Sequence, residues 1–191
     1  MRTARCLLAA CLLVAAPAAC GEDDPPERPA ERADAPVRPP AGWRTVRNEA
    51  AGFTMSVPRS WTAATKRGTT LLRSKGELVA VTVAADRSGA GKGTAPAKYA
   101  RDVIAALPGF EGAVSVKDTR IEGSPYRTAI ATGSGTVKTS GVAQRIEVAA
   151  FHRPRLVTYS AVIFRNARAR RVPERATVAR MLRSFRARPP D

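Results

Sequence analysis

The stretch "AAGFTMSVPRSW", residues 50–61, decides the fold of this 191-residue chain. Large apolar side chains occupy every second position of residues 53–57, and small hydroxyl side chains stand between them. This period of two predicts a β-strand with one buried face. Pro58 then ends the strand, because proline has no N–H to donate to a neighbouring strand.

The same alternation recurs further along the chain. It predicts strands at residues 79–83, 114–117, 126–132, 142–151 and 156–164. The last of these segments is apolar on both faces. We therefore expect it to be a central strand that is covered from both sides.

Two segments change to a helical period. In "TAPAKYARDVIAALPG", residues 94–109, one apolar stripe is formed by Tyr99, Ala100, Val103, Ile104 and Leu107. We expect Thr94 to cap this helix, Pro96 to lie in its first turn and Pro108-Gly109 to end it. The segment "GAGKGT", residues 89–94, lacks the Ser or Thr that follows Gly-Lys in a phosphate-binding loop, so we interpret it as a flexible loop.

A second helix is predicted near the end of the chain, in "VPERATVARMLRSF", residues 172–185. Pro173 opens it, and its apolar face carries Val178, Met181, Leu182 and Phe185. Strands thus dominate, with one helix in the middle and one at the end. This order predicts an α+β fold in which α-helices flank an antiparallel β-sheet.

The net charge of +16 is unevenly distributed. Residues 21–40 hold six acids and three arginines, whereas residues 41–191 hold 27 basic and 10 acidic residues. The positive charge of residues 41–191 attracts anionic partners at long range, but charge alone does not identify the partner. The segment 21–40 also has six prolines and few large apolar side chains, so we expect a disordered tether.

The first nineteen residues have the pattern of an export signal. A short basic start precedes an apolar run of fourteen residues and the small residues Ala18 and Ala19. The run is shorter than the roughly 20 residues that span a bilayer. We therefore divide the chain into a signal peptide at 1–19, a tether at 20–40 and a folded domain at 41–191.

The segment "PAAC", residues 17–20, resembles the lipobox of bacterial lipoproteins. That resemblance implies cleavage before Cys20 and a diacylglyceryl anchor on its sulfur, which would attach the protein to the outside of the cell membrane. Two alternatives remain open. "LAAC", residues 8–11, would place the anchor on Cys11 if translation begins upstream, and "APA", residues 16–18, permits simple secretion.

The domain itself resembles the PsbP-like/Mog1 fold, and in particular bacterial lipoproteins of the actinobacterial LpqN type. The pattern G-F-x-apolar-x-apolar-P-x-x-W is matched by Gly52, Phe53, Met55, Val57, Pro58 and Trp61. "IEGSPYRTAIATG", residues 121–133, and "MLRSF", residues 181–185, resemble later family segments. The resemblance implies an α/β/α sandwich and a role in binding or assembly, without a common substrate.

The inventory of catalytic groups is small. His152 is the only histidine, and we expect it to be a half-exposed structural residue at a strand end. No cysteine occurs after Cys20, so the domain has no thiolate nucleophile and no disulfide. We therefore predict no catalytic residues, no metal site and no cofactor.

The segment "FRNARARR", residues 164–171, is the one candidate binding patch. Its arginines are Arg165, Arg168, Arg170 and Arg171. They precede the final helix, whose free N–H groups attract anions. They could contact anionic lipid, a wall polymer or an acidic protein face; the alternative is a solvated loop, as basic runs usually are.

These observations predict a monomeric, non-enzymatic envelope lipoprotein that binds an envelope protein or an anionic envelope component. Two alternatives come from other functional classes. A hydrolase or transferase would need Ser160 or Ser184 brought beside ionisable groups by folding. A nucleic-acid binder would suit the basic domain, although export and the few aromatic residues argue against it.

Overall fold

The computed structural model describes residues 37–117, 119–137, 142–167 and 174–188. Its strands are β1 (Trp43–Asn48), β2 (Phe53–Pro58), β3 (Thr62–Lys66), β4 (Thr69–Arg73), β5 (Val79–Asp86), β6 (Phe110–Lys117), β7 (Arg127–Val137), β8 (Val142–Arg153), β9 (Val157–Asn166) and β10 (Arg186–Ala187). Its helices are α1 (Gly89–Gly93), α2 (Pro96–Ala105) and α3 (Arg175–Arg183). None of the helices in these ranges reaches the length and hydropathy that crossing a bilayer requires.

The stretch quoted above forms β2, the middle strand of a small antiparallel sheet in the order β1-β2-β10. The turn between β1 and β2 is closed by Asn48, whose side-chain oxygen accepts the N–H of Ala51 at 2.9 Å. Gly52 follows with φ +74°, a left-handed conformation that glycine adopts without strain. Strand β10 pairs with β2 only at Phe53 and Thr54.

The large sheet has seven antiparallel strands in the order β3-β4-β5-β9-β8-β7-β6. Strand β9 is its central strand and nearly all of its residues are buried, which confirms the prediction drawn from its two apolar faces. The β3–β4 hairpin was not predicted. Its signal is the turn at Arg67 and Gly68, both with positive φ, between strands whose faces are largely polar.

One face of the large sheet packs against β2 and the end of α3. The ring of Phe185 lies at the centre of this layer, with centroids 5.6 Å from Phe53 and 4.4 Å from Phe151. Tyr159 and Tyr126 also contact it, at 5.1 and 5.8 Å. Phe185 therefore joins α3, the small sheet and the large sheet through one aromatic cluster.

The face of α3 that was predicted to be apolar is buried. Val178, Met181 and Leu182 are each at most 4% exposed, and Phe185 follows them. The helix begins at Arg175, with Glu174 as its N-cap residue in the left-handed region. The predicted opening at Pro173 lies outside the described residues.

The opposite face of the large sheet is covered by α2. The buried residues Tyr99, Ala100 and Ile104 pack there against Ala131, Ile146, Val148, Ala150 and Val162. Pro96 lies in the first turn, as predicted. Thr94 does not cap α2, because the N-cap residue is Ala95 and no side chain bonds to the free N–H groups.

The segment interpreted as a flexible loop is the short helix α1, so that prediction is wrong. Ser88 caps it by accepting the N–H of Gly91, and the Thr158 hydroxyl of β9 donates to the Gly91 carbonyl oxygen. A Cβ at Gly91 would lie 2.1 Å from the backbone oxygen of Asp86. The glycine thus permits a close approach between α1 and β5 that fixes the helix on the sheet.

The fold is α+β, with an antiparallel sheet between helical layers, as the sequence predicted. The small sheet was not part of that prediction. Together with α3 it covers one face of the large sheet, while α1 and α2 cover the other. Two buried layers result, one on each side of the central strands.

Candidate functional site

A cavity of about 410 Å³ lies between α3 and the face of the large sheet that carries the aromatic cluster. We call it the α3 cavity. Val178 and Leu182 of α3 form one apolar wall, and Ile121 and Ile130 form another. Its volume falls within the range of small-molecule binding sites.

The buried charge of this cavity belongs to Arg165. Its side chain is only 2% exposed, and its Nη1 lies 2.9 Å from Oε2 of Glu147. Register explains the pair: Arg165 is opposite Arg145 in β8, and Glu147 is two residues further along that strand on the same face. A buried guanidinium requires such a partner, because its desolvation is otherwise uncompensated.

Among the residues that the structure describes, cations outnumber anions in the wall of the α3 cavity. The basic residues are Lys117, Arg165, Arg175 and Arg183, and the acidic residues are Glu122 and Glu147. Because Glu147 pairs with Arg165, three cations and the carboxylate of Glu122 remain in this described part of the wall. A concave site with excess positive charge and apolar walls favours a ligand that has an anionic group and an apolar portion.

The predicted arginine patch is only partly described. Arg165 lies in β9 with a buried side chain, and not in a loop at the surface, because β9 extends to Asn166. Arg168, Arg170 and Arg171 lie outside the described residues. The structure thus places one of the four predicted residues in the α3 cavity.

Sequence reasoning missed Glu147 and Lys117 as residues of the site. A signal for Glu147 was present, because it interrupts an otherwise apolar segment between Ile146 and Val148. A charge at an inward position of a buried strand indicates either a partner or a site. Arg165 interrupts its own strand in the same way, so the two exceptions could have been paired.

His152 is buried, at 7% exposure, so the expectation of a half-exposed residue is wrong. Its Nδ1 lies 2.7 Å from the hydroxyl oxygen of Thr158, which donates its proton to the carbonyl of Gly91. Nδ1 must therefore carry the hydrogen and donate to Thr158. Burial, and then the charge of Arg127, hold the pKa of His152 below its ordinary value. The residue joins β8, β9 and α1.

Ser160 lies in a polar cluster with Tyr99 and Asp86. Burial, and then the charge and hydrogen bond of Asp86, raise the pKa of Tyr99 to about 12. Burial raises the pKa of Asp86, but bonds from Ser88 and Tyr99 outweigh it and leave that pKa below its ordinary value. The cluster therefore holds a charged carboxylate, whose lowered pKa makes it a weak base, and a neutral phenol; neither is well matched to removing the serine proton near neutral pH.

The other candidate serine, Ser184, makes two structural hydrogen bonds. Its hydroxyl donates to the carbonyl oxygen of Met181 at 2.7 Å and accepts the N–H of Ser56 at 2.9 Å. These bonds end α3 and continue the pairing of β2 beyond the short β10. Among the residues that the structure describes, no three His, Cys, Asp or Glu side chains are grouped to hold a metal ion.

No family model matches this chain, and no curated protein matches it. Solved structures with a similar fold include the following two. A protein from Bacteroides thetaiotaomicron VPI-5482 has a TM-score of 0.52 and 10% identity, covering 77% of this chain; this chain spans 49% of that protein's length. The match to a point mutant of the protein Mog1 has a TM-score of 0.50 and 10% identity. It covers 76% of this chain and 95% of the Mog1 chain. The fold is therefore of the Mog1/PsbP-like type, as the sequence resemblance implied.

Proposed function

We propose that this protein is a non-enzymatic binding module of the cell envelope whose α3 cavity receives the anionic group of its ligand. The observation that carries the proposal is the excess of cations among the described residues of the cavity wall: Lys117, Arg175 and Arg183 lie there in addition to the paired Arg165 and Glu147. Positive charge in a concave site attracts an anionic ligand. The cavity is large enough to receive one.

The cavity chemistry favours an amphiphile, that is, a molecule with a carboxylate or phosphate group and a short apolar portion. The cations would hold the anionic group, and Ile130 and Val178 would contact the apolar portion. An anionic envelope lipid has both parts. An acidic side chain of a protein partner fits the charge but gains less from the apolar walls.

The location of the protein is part of the same proposal. We infer that signal peptide 1–19 is removed, that Cys20 carries a diacylglyceryl anchor and that residues 20–40 tether domain 41–191 outside the membrane, as in lipoproteins of the LpqN type. Two acyl chains suffice for stable anchoring. The order of basic start, apolar run, small residues and cysteine supports this proposal.

The non-enzymatic assignment rests on the structural roles of the side chains that could otherwise act in catalysis. The single histidine uses Nδ1 in a bond to Thr158, and Ser184 is engaged in two structural bonds. The competing proposal is a hydrolase or transferase that uses Ser160. Robust turnover of an envelope substrate by the purified protein, abolished by Ser160→Ala, would favour the enzyme.

Calorimetric titration of the full chain tests the ligand class. The probes are a short-chain anionic phospholipid below its micelle concentration, its zwitterionic counterpart and inorganic phosphate. We expect measurable binding of the anionic amphiphile alone, with a negative heat-capacity change from burial of its apolar part. Binding of phosphate with equal affinity would instead indicate a simple anion site.

A matched pair of double variants assigns the binding to the cavity. Lys117→Gln with Arg175→Gln removes two cations of the α3 cavity, and Lys66→Gln with Lys75→Gln removes two exposed cations elsewhere. We expect roughly a tenfold loss of affinity only in the first variant. Equal losses, or steeply salt-dependent binding to DNA, would favour a diffuse polyanion-binding surface.

The anchor is tested by acyl labelling and membrane fractionation in the native host. Cys20→Ser should lose the acyl label and leave the membrane fraction. Cys11→Ser serves as the control, because it removes the cysteine of the alternative lipobox. A label that depends on Cys11, or a soluble wild-type protein, would contradict the proposed anchor.

A further inference from the structure

A second cavity of about 620 Å³ adjoins the C-terminal end of α3. It is lined by the start of the described chain at Val37 and Arg38, by Ser56 of β2 and by arginines at the helix end. Arg183 and Glu122 line both this second cavity and the α3 cavity. The other residues named here, including Ser56, do not line the α3 cavity.

The second cavity is strongly basic. Of the residues that the structure describes there, Arg38, Arg180, Arg183 and Arg186 are basic and Glu122 is acidic. The guanidinium of Arg186 donates to the carbonyl oxygens of Arg183 and Phe185, which fix its position without neutralising its charge. Cations at a helix C-terminus are favourable in themselves, so the arginines alone do not make a ligand site.

Ser56 supplies the second observation. The residue lines the second cavity and is 2% exposed, and its hydroxyl oxygen has no hydrogen-bond partner in the described part of the chain. Its backbone N–H is already bonded to Ser184, so only the side chain is unsatisfied. A buried hydroxyl without a partner is costly. A carboxylate in this cavity would accept its proton and face the arginines.

We infer that the second cavity binds carboxylates of this chain's own acidic segment, residues 21–36. That segment holds six acids and two arginines, and it ends where the described chain begins, at the edge of the cavity. The chain length allows Asp34 to lie within about 11 Å of Val37, and Glu31 within about 22 Å. Such short attachment gives an effective concentration in the millimolar range.

Docking of this kind would shorten the reach of the tether and fix one side of the domain relative to the anchor. The inference requires neither acylation of Cys20 nor a ligand in the α3 cavity. It can therefore fail or succeed independently of the proposed function.

Trypsin provides a direct measure of docking in the full chain. Of the arginines between residues 21 and 40, Arg28 and Arg38 precede proline, which makes the following bonds resistant, so Arg32–Ala33 is the susceptible bond. It lies between Glu31 and Asp34. Docking should slow its cleavage by roughly threefold or more relative to a free peptide of the same sequence.

Two variants test the cavity, and two further variants are controls. Arg180→Gln and Ser56→Ala should each restore rapid cleavage at Arg32–Ala33. Thr54→Ala is the matched control, because Thr54 is also a buried, unpartnered hydroxyl of β2 but does not line the second cavity. The α3 cavity variant Lys117→Gln should leave the protection unchanged.

Thermal unfolding gives an independent readout. If the Ser56 hydroxyl bonds to a tether carboxylate, Ser56→Ala lowers Tm, and this effect disappears when Glu31→Gln and Asp34→Asn are also present. If the hydroxyl has no partner, Ser56→Ala is neutral or raises Tm. That result, or wild-type cleavage as fast as in the free peptide, overturns the inference. Protection that survives neutralisation of all six acids of residues 21–36 also overturns it, because the tether carboxylates would then not be the occupant.

Discussion

Arg165 of β9 and Glu147 of β8 form an ion pair of 2.9 Å in the wall of the α3 cavity, although 18 residues separate them in the chain. The side chain of Arg165 is 2% exposed and that of Glu147 is 25% exposed. The pair thus has an inner cation and an outer anion. The carboxylate that stabilises the buried positive charge therefore itself borders the cavity.

Removal of the carboxylate should destabilise the protein. Glu147→Gln removes a counter-charge of the buried Arg165 guanidinium, and we expect a loss of roughly 3 kcal/mol in unfolding free energy. Arg165→Met combined with Glu147→Leu should recover most of that loss, because neither charge is then buried alone. Urea denaturation of the three proteins measures the effect.

The control for this prediction is the exposed pair of Lys98 and Asp102, at 2.6 Å. Because both side chains are more than half exposed, Asp102→Asn should cost only about 0–1 kcal/mol. If Asp102→Asn and Glu147→Gln lowered the unfolding free energy by similar amounts, the burial of Arg165 would not be the cause of the large expected effect.

The glycines of α1 should respond differently to alanine. Gly91→Ala places a Cβ against the backbone of Asp86, and we expect a loss of about 1–3 kcal/mol. Gly93→Ala meets no atom within 4 Å, and it should be neutral or stabilising by up to about 1 kcal/mol. Thermal unfolding of both variants separates close packing from a general demand for glycine in this helix.

Stability should decrease in mild acid because of His152. Its pKa is lowered in the folded state, so the unfolded chain binds the proton more readily. The stability is complete above the unfolded pKa of about 6.5 and is lost as pH falls from there towards the folded pKa. Unfolding free energies between pH 7.5 and 5 measure this dependence.

The matched variant for the histidine is His152→Asn, which keeps a donor for Thr158 but does not titrate. Its stability should change less over the same pH interval than that of the wild type. Parallel curves for the two proteins would mean that other groups produce the pH dependence.

The aromatic cluster should depend strongly on Phe185. Phe185→Ala removes a ring that contacts Phe53, Phe151 and two tyrosines, so we expect a loss of about 3–5 kcal/mol. Leu156→Ala, at a side chain that is 52% exposed, should change stability by less than about 0.5 kcal/mol. A small effect of Phe185→Ala in denaturant unfolding would show that α3 is held in place by other contacts.

Local periodicity predicted the elements that bury a continuous apolar face. Strands β2, β5 and β9 and helix α2 all have such faces, and all were found close to the predicted residues. Strands β3 and β4 were missed because most of their side chains are exposed or half-exposed. A strand without a strong apolar face gives little signal in the sequence.

In the α1 segment, by contrast, the local sequence predicted the wrong structure. Three glycines in five residues predict a loop, yet the segment is helical, because Thr158 of β9 bonds to Gly91 and Ser88 caps the first turn. These partners lie in other elements or depend on the turn after β5. Tertiary contacts therefore override a weak local preference here.

The alternation of strands and helices and the central position of β9 could be predicted from the chain alone, because both depend on which side chains recur at the period of a strand or a helix. The Mog1/PsbP-like fold was implied by the resemblance of the segment at residues 52–61 and of two later segments. The pairing of Arg165 with Glu147 in a cavity wall, and the burial of Ser56 beside the end of α3, became visible only in three dimensions. The reason is register. The neighbour of a side chain across a sheet is set by strand pairing over many residues, and no local pattern contains that information.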